Sequence, residues 1–210
     1  MEFNEHNLCE IHNYFEPDSA SKILSELKAL TYVEVNQERH GHYEHVFKSN
    51  DPTLPNENDF YAARFEMSED REGSTEFNRI FQEKILFDIR KLNPNIRYYL
   101  KPNVYRMRKS HYFRSHTDAY AGEVGYTFFF SSRHWKWDFG GILTFVNRGV
   151  AYPVFPHHNS ALFRNEQQRP HHFVSPVNSW AEKSEYYLVV GWASTCDHGF
   201  SEVRGTYHEF

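Results

Sequence analysis

The chain has 210 residues and a mass of 25.1 kDa, a length that one hydrophobic core can serve, so a single domain over 1–210 is expected. Aromatic residues make up 18% of the chain and nearly half of its 40% hydrophobic fraction, which excludes a disordered polymer; a mean hydropathy of -0.74 with no long apolar run excludes a membrane-spanning helix. A net charge of -5 argues against general phosphate-backbone binding, so neither nucleic acid nor a membrane is expected as a partner.

Only two cysteines occur, Cys9 and Cys196, and neither belongs to a CxxC pair, which removes thiolate zinc knuckles and disulfide frameworks. The start, MEFNEHNLCEIHNYFE, is acidic and has no apolar signal core, so a reducing, cytoplasmic location is the expectation. The 14 histidines are the compositional oddity, because imidazole is both a common metal ligand and a frequent acid–base group.

In chain order, Pro17-Asp18-Ser19 leads into Ile23, Leu24, Leu27 and Leu30, a cap followed by an apolar stripe at helical spacing. Glu38 to Arg71 is polar and turn-rich. It reads as a long loop with one or two strands, either a mobile substrate lid carrying Tyr43, Phe47, Phe60 and Tyr61 or a packed pair of edge strands. Ser74 or Thr75 caps the longest expected helix, whose stripe Phe77, Ile80, Phe81, Ile85, Ile89 and Leu92 stops at Asn93-Pro94. From about Arg97 the texture changes to short Tyr-, Phe-, Val- and Leu-rich runs: 98–100, 104–107, 125–130, 142–146, 161–164, 172–177 and 186–192. They are too closely spaced for crossover helices, so antiparallel pairing is expected, as a sandwich or jelly roll with the helices against one outer face.

The chemistry concentrates in Phe113-Arg114-Ser115-His116-Thr117-Asp118. In extended backbone His116 and Asp118 point to one face. Pro170-His171-His172-Phe173-Val174-Ser175-Pro176-Val177 offers a third ligand from a second strand. Two imidazoles and one carboxylate leave three adjacent positions of an octahedral ion open, the facial arrangement of non-haem Fe(II) oxygenases. An HxD pair alone is a weak signal in so histidine-rich a chain. The ordered downstream segments are a specific one: Gly140-Gly141-Ile142-Leu143-Thr144-Phe145, then Asn159 to Phe163, then His172 to Val177, then Tyr186 to Trp192.

With those segments in that order, the chain resembles the prolyl 4-hydroxylase-like branch of the 2-oxoglutarate- and Fe(II)-dependent oxygenases, closely over about 97–195 and more loosely before it. The resemblance implies a mainly β fold, a double-stranded β-helix (jelly roll) with supporting N-terminal α-helices over about 1–95. It implies Fe(II) on His116, Asp118 and His172, with 2-oxoglutarate as cosubstrate and ascorbate as a further cofactor. The implied reaction is oxidative decarboxylation of 2-oxoglutarate coupled to hydroxylation of a small-molecule or peptide substrate. Asp118 favours hydroxylation, since a small residue there would open a position for halide. Aligning the HxVxPV segment makes His172 the ligand; a bulge inverting the alternation would substitute His171. Gly140-Gly141 reads as a close backbone approach or as an ordinary turn.

The cosubstrate pocket departs from the family pattern. Where the family holds the distal carboxylate with Arg or Lys, six residues before the terminal-strand Trp, this chain has Tyr186. Arg106, on the strand where the family often places a Tyr facing 2-oxoglutarate, is the leading candidate to supply the charge, then Lys183, with Tyr186 as hydrogen-bond partner to either. His40, His42 and His45 lack a matching carboxylate, and His157-His158 reads as turn surface. No Walker loop, GxGxxG, GxSxG or HExxH occurs. The rival readings are the same iron centre acting on a free metabolite with another oxidative outcome, and a jelly-roll metal- or ligand-binding module without turnover.

Overall fold

The computed structural model describes residues 1–39, 61–70, 73–118, 122–131, 135–147, 149–168, 171–181, 183–196 and 207–209. Strand β1 (Leu8–His12) precedes helix α1 (Pro17–Ala29); β2 (Tyr32–Arg39) and β3 (Tyr61–Ser68) come next. Helices α2 (Thr75–Ile80) and α3 (Leu86–Leu92) are joined without a break by a π-helical turn, Phe81–Ile85. Then come β4 (Tyr98–Leu100), β5 (Asn103–Met107), β6 (Tyr112–His116), β7 (Val124–Ser131), β8 (Leu143–Asn147), β9 (Val150–Val154), β10 (Ser160–Asn165), β11 (His171–Val174), β12 (Tyr186–Ser194) and β13 (Tyr207–Glu209).

Strand alternation sorts the apolar residues into two cores. On β7, buried along its whole length, Val124, Tyr126, Phe128 and Phe130 face the helices, while Phe129 faces the opposite way. On β12, Tyr187, Val189 and Ala193 join the helix-side core, and Tyr186, Leu188, Val190 and Trp192 the other. The strand order β1-β10-β7-β12-β5-β3-β6-β11-β8-β9 is one antiparallel path that doubles back on itself. Its first half lies under the helices. Its second half, β6-β11-β8-β9, packs Leu143, Phe145 and Val174 against Phe129, Leu162 and Leu188 of the first, which makes a jelly roll. Among the described residues no helix is long and apolar enough to cross a membrane.

The expected helices form with small shifts. Helix α1 starts at Pro17 itself, whose missing N–H costs nothing in a first turn, and Glu16 stands at the cap without a side-chain bond. Ser74 caps the second segment, accepting from the Phe77 N–H at 3.0 Å. The π turn slips the stripe so that Phe77, Phe81, Ile85 and Ile89 all stay buried. Strands β1, β6, β9 and β13 and most of β2 lie outside the runs expected from sequence, although β6 carries the segment whose His116 and Asp118 were read in extended backbone. The segment Glu38 to Arg71 supplies the end of β2 and all of β3, and β3 is no edge: it bonds both β5 and β6 and so closes the path between the halves. Residues 40–60, with His40, His42, His45, Tyr43, Phe47 and Phe60, lie outside the described residues.

Phe128 and Asp88 each tie the Tyr14 segment between β1 and α1 to a neighbour, Phe128 from the sheet and Asp88 from α3. Phe128 is fully buried, with ring centroids 5.2 Å from Tyr14 and from Phe77 and 5.4 Å from Phe15. Phe128→Ala should cost about 3–5 kcal/mol in urea unfolding at neutral pH. Asp88 on α3 accepts from Tyr14 Oη at 2.7 Å and Lys91 Nζ at 2.9 Å. Burial alone would raise its pKa; the Lys91 and Tyr14 hydrogen bonds and the Lys84 charge outweigh it and hold the carboxyl below 3.8. Its contribution is therefore complete above the unfolded value and is lost as pH falls through the folded one. Asp88→Asn should be less stable than wild type at pH 7, with the difference closing as urea midpoints are measured down toward pH 3.

Candidate metal centre

The site grows from the pairing of β6 with β11. His172 stands opposite His116, and Val174 opposite Phe113, with a register shift between the two pairs. The extra residue is a bulge at the exposed Arg114 and Ser115, and it lets Phe113 and His116, three apart, both turn inward. Asp118 lies just past the end of β6. His116, Asp118 and His172 each place a potential ligand atom within 4.8 Å of the others'. His116 Nε2 lies 3.7 Å from Asp118 Oδ1, and His172 Nε2 lies 3.3 Å from Asp118 Oδ2. His171, paired with Val146, takes the other face of β11 by alternation.

The donor set fits a divalent ion. His116 Nδ1 donates to the Arg114 carbonyl at 2.7 Å, which fixes the tautomer and leaves the lone pair on Nε2, the atom turned to Asp118. Burial, then the neighbouring His172, lower the His116 pKa to about 4 against the pull of Asp118, so the ring is neutral at pH 7. Burial alone would raise the Asp118 pKa; His172, Arg164 and His116 outweigh it and hold the carboxyl far below its usual range. The side chains of His116 and Asp118 are each 16% exposed, so the trio opens to solvent while His172 is covered.

Two charges that sequence reasoning missed stand behind the trio. Arg164, on β10, and Glu166, on the turn after it, are 2% and 0% exposed. Arg164 Nη1 donates to Asp118 Oδ2 at 3.2 Å and lies 3.4 Å from His172 Nε2; its Nε is 3.1 Å from Glu166 Oε1. Burial raises the Glu166 pKa, and Arg164 opposes the rise. The signal was in the sequence: inward Leu162 makes Arg164 inward two positions on, and a cation at a core position of an apolar strand marks a site. Tyr105, also inward on β5, has its phenol pKa raised by burial and then by the Asp118 charge.

The expected cosubstrate contacts are not brought to this trio. On β5 Tyr105 and Met107 face the interior, so Arg106 faces out, its Nε bonded to Glu66 at 2.5 Å and its guanidinium 4.4 Å from the Tyr32 ring. Arg106 stands one residue from the inward Tyr105, which in a strand is the other face. Lys183 is exposed on a turn. Tyr186 does face the interior, but its hydroxyl donates to the Gly141 carbonyl at 2.7 Å and its ring packs on Trp135 at 4.7 Å. Gly140 is a close approach: at φ +66°, a Cβ there would lie 2.1 Å from the Pro176 carbonyl oxygen.

Gly125, opposite Arg164 on β7, makes the room for the charged pair: a Cβ would lie 2.3 Å from Glu166 Oε1 and 2.7 Å from Arg164 Nη2. Gly125→Ala should push the pair apart and lower stability by about 1–3 kcal/mol, read from urea unfolding.

No protein-family model and no curated protein sequence matches the chain. Solved structures do. A 2OG-Fe(II) oxygenase family oxidoreductase from Burkholderia pseudomallei is 15% identical over 91% of this chain and 87% of its own, with a TM-score of 0.60. A prolyl-4-hydroxylase from Pseudomonas putida is 12% identical over 90% and 93%, with a TM-score of 0.58. A prolyl hydroxylase from Trichoplax adhaerens, solved with a hypoxia inducible factor peptide fragment, is 15% identical over 92% and 86%, with a TM-score of 0.59. At these identities the likeness is one of fold: the chain has the fold of the 2-oxoglutarate- and Fe(II)-dependent oxygenases, prolyl hydroxylases among them.

Proposed function

We propose that the chain is an Fe(II)- and 2-oxoglutarate-dependent dioxygenase of the cytoplasm that hydroxylates an amino-acid residue or a small amino-acid-like substrate. One observation carries the reading: two imidazoles from paired strands and a carboxylate just past the end of one of them converge within 4.8 Å on the inner face of a jelly roll, next to solvent. His116, Asp118 and His172 would hold the metal. Bound there with 2-oxoglutarate, Fe(II) supplies activation of dioxygen, with ascorbate as a further cofactor. The chain's own part is to orient and to shield. The Arg114 carbonyl sets the His116 tautomer, and Phe113 and Phe145 flank the two imidazoles, with ring centroids 6.2 Å from His116 and 5.2 Å from His172. The peptide in the Trichoplax structure, and the prolyl hydroxylases among the similar folds, support a peptidyl substrate with proline as the leading residue.

The reading is tested by Fe(II)-dependent release of succinate from 2-oxoglutarate, with mass spectrometry screening peptides and free amino acids for the gain of one oxygen. Succinate should appear with Fe(II) and not with chelator present; its absence under every substrate tried sinks the reading. His116→Ala, Asp118→Ala and His172→Ala should each weaken Mn(II) binding by more than the roughly 10–100-fold that loss of a ligand's hydrogen-bond partner costs. The folds should persist, because both cores are apolar. His171→Ala should bind normally, and a reversal of that order would move the ligand to His171.

A further inference from the structure

The trio accounts for neither of the charges buried behind it. Among the described residues Arg164 is the one buried Lys or Arg, and Glu166 beside it is fully covered. Charges so placed are costly unless they are matched and held. They form a chain: Glu166 Oε1 lies 3.1 Å from Arg164 Nε, and Arg164 Nη1 donates to Asp118 Oδ2. Arg164 Nε and Nη2 make no hydrogen bond, and neither do the Glu166 oxygens, although the two groups are in ion-pair range. The guanidinium is thus aimed by Asp118 rather than by Glu166, which serves as the counter-charge behind it.

The contacts make the two oxygens of Asp118 unequal. Each faces one imidazole, Oδ1 at 3.7 Å from His116 Nε2 and Oδ2 at 3.3 Å from His172 Nε2, but it is Oδ2 that also carries the Arg164 N–H. We propose that Arg164, backed by Glu166 in the space left by Gly125, is a positioning residue that commits Asp118 Oδ2 to a hydrogen bond, so that Asp118 offers a metal one oxygen and not two. This rests on the metal-dependent reading above and deepens it. Two imidazoles and one carboxylate oxygen occupy three positions of an octahedral ion; a chelating carboxylate would occupy a fourth. A cosubstrate that binds through two atoms, together with dioxygen, needs the three positions that the single oxygen leaves. Arg164 therefore governs how the metal-loaded site accepts an oxo acid.

Arg164→Met alone would strand the Glu166 charge, so the informative variant is the pair Arg164→Met with Glu166→Gln, and Arg164→Lys provides a second, charge-conserving comparison. Each protein is loaded with Co(II); Co(II) affinity, 2-oxoglutarate affinity by calorimetry, the visible Co(II) absorption and the melting temperature are measured. Saturated with Co(II), the double variant should show an altered Co(II) spectrum before cosubstrate is added and bind 2-oxoglutarate about tenfold or more weakly, while any loss of Co(II) affinity stays within the roughly 10–100-fold that a ligand's hydrogen-bond partner costs. Arg164→Lys, with a charged donor but no planar fork, should fall between, and it carries the same comparison if the double variant does not fold. Unchanged spectrum and cosubstrate affinity in the variants overturn the positioning role while leaving the metal centre intact. Loss of Co(II) affinity beyond that roughly 10–100-fold, in parallel with cosubstrate affinity and melting temperature, also overturns it, since that is the mark of packing alone. Wild type that takes up no Co(II) brings down the metal-dependent reading itself.

Discussion

Because β6 and β11 pair antiparallel with His116 directly opposite His172, two imidazoles far apart in the chain share one face, and Asp118 needs only to stand two residues behind the first to complete the set. The pairing alone would not suffice. A strand that kept strict alternation could bury Phe113 or His116 but not both, so the bulge at Arg114 and Ser115 is what lets one short strand contribute to the apolar interior and to the site. The same bulge brings the Arg114 carbonyl within reach of His116 Nδ1, and so also sets which nitrogen faces Asp118. One local irregularity thus fixes inward direction, tautomer and approach.

A carboxylate partly withdrawn from water must have its charge matched, and here the matching group comes from the opposite half of the sheet path. Arg164 reaches Asp118 from β10, across Gly125 of β7, while Glu166 balances it from behind. The charged row links the two halves at one end of the jelly roll as the apolar contacts of Phe129, Leu162 and Phe145 link them along its length. At the Tyr186 position the interior is built of rings, with the Tyr186 hydroxyl given to Gly141 and its ring set against Trp135. Buried positive charge therefore sits beside the trio and not where the family pattern puts its Arg or Lys.

Much of this was legible in the sequence. Period-two runs after Arg97 gave strands too close together for crossover helices, and the stripes from Ile23 and from Phe77 gave the two helical segments. The spacing of His116, Asp118 and His172, in the order shared with a known family, pointed to one face, because alternation along a strand is local geometry. The choice of His172 over His171 came from the same alternation carried through Val174.

What the tertiary structure alone decided is which face each strand turns inward and what stands across from it. Arg106 and Tyr105 differ by one place in sequence and by the whole thickness of a sheet in space; nothing in their neighbours says which of them meets Asp118, since that depends on how β5 registers against β12 and β3. The partnership of Asp118 with Arg164 and Glu166 joins positions brought together only when the two halves of the path fold onto each other. Composition, periodicity and motif order are properties of the chain and can be read from it. The matching of buried charges is a property of three-dimensional proximity, and proximity between strands distant in sequence is set by the global pairing, which no local pattern records.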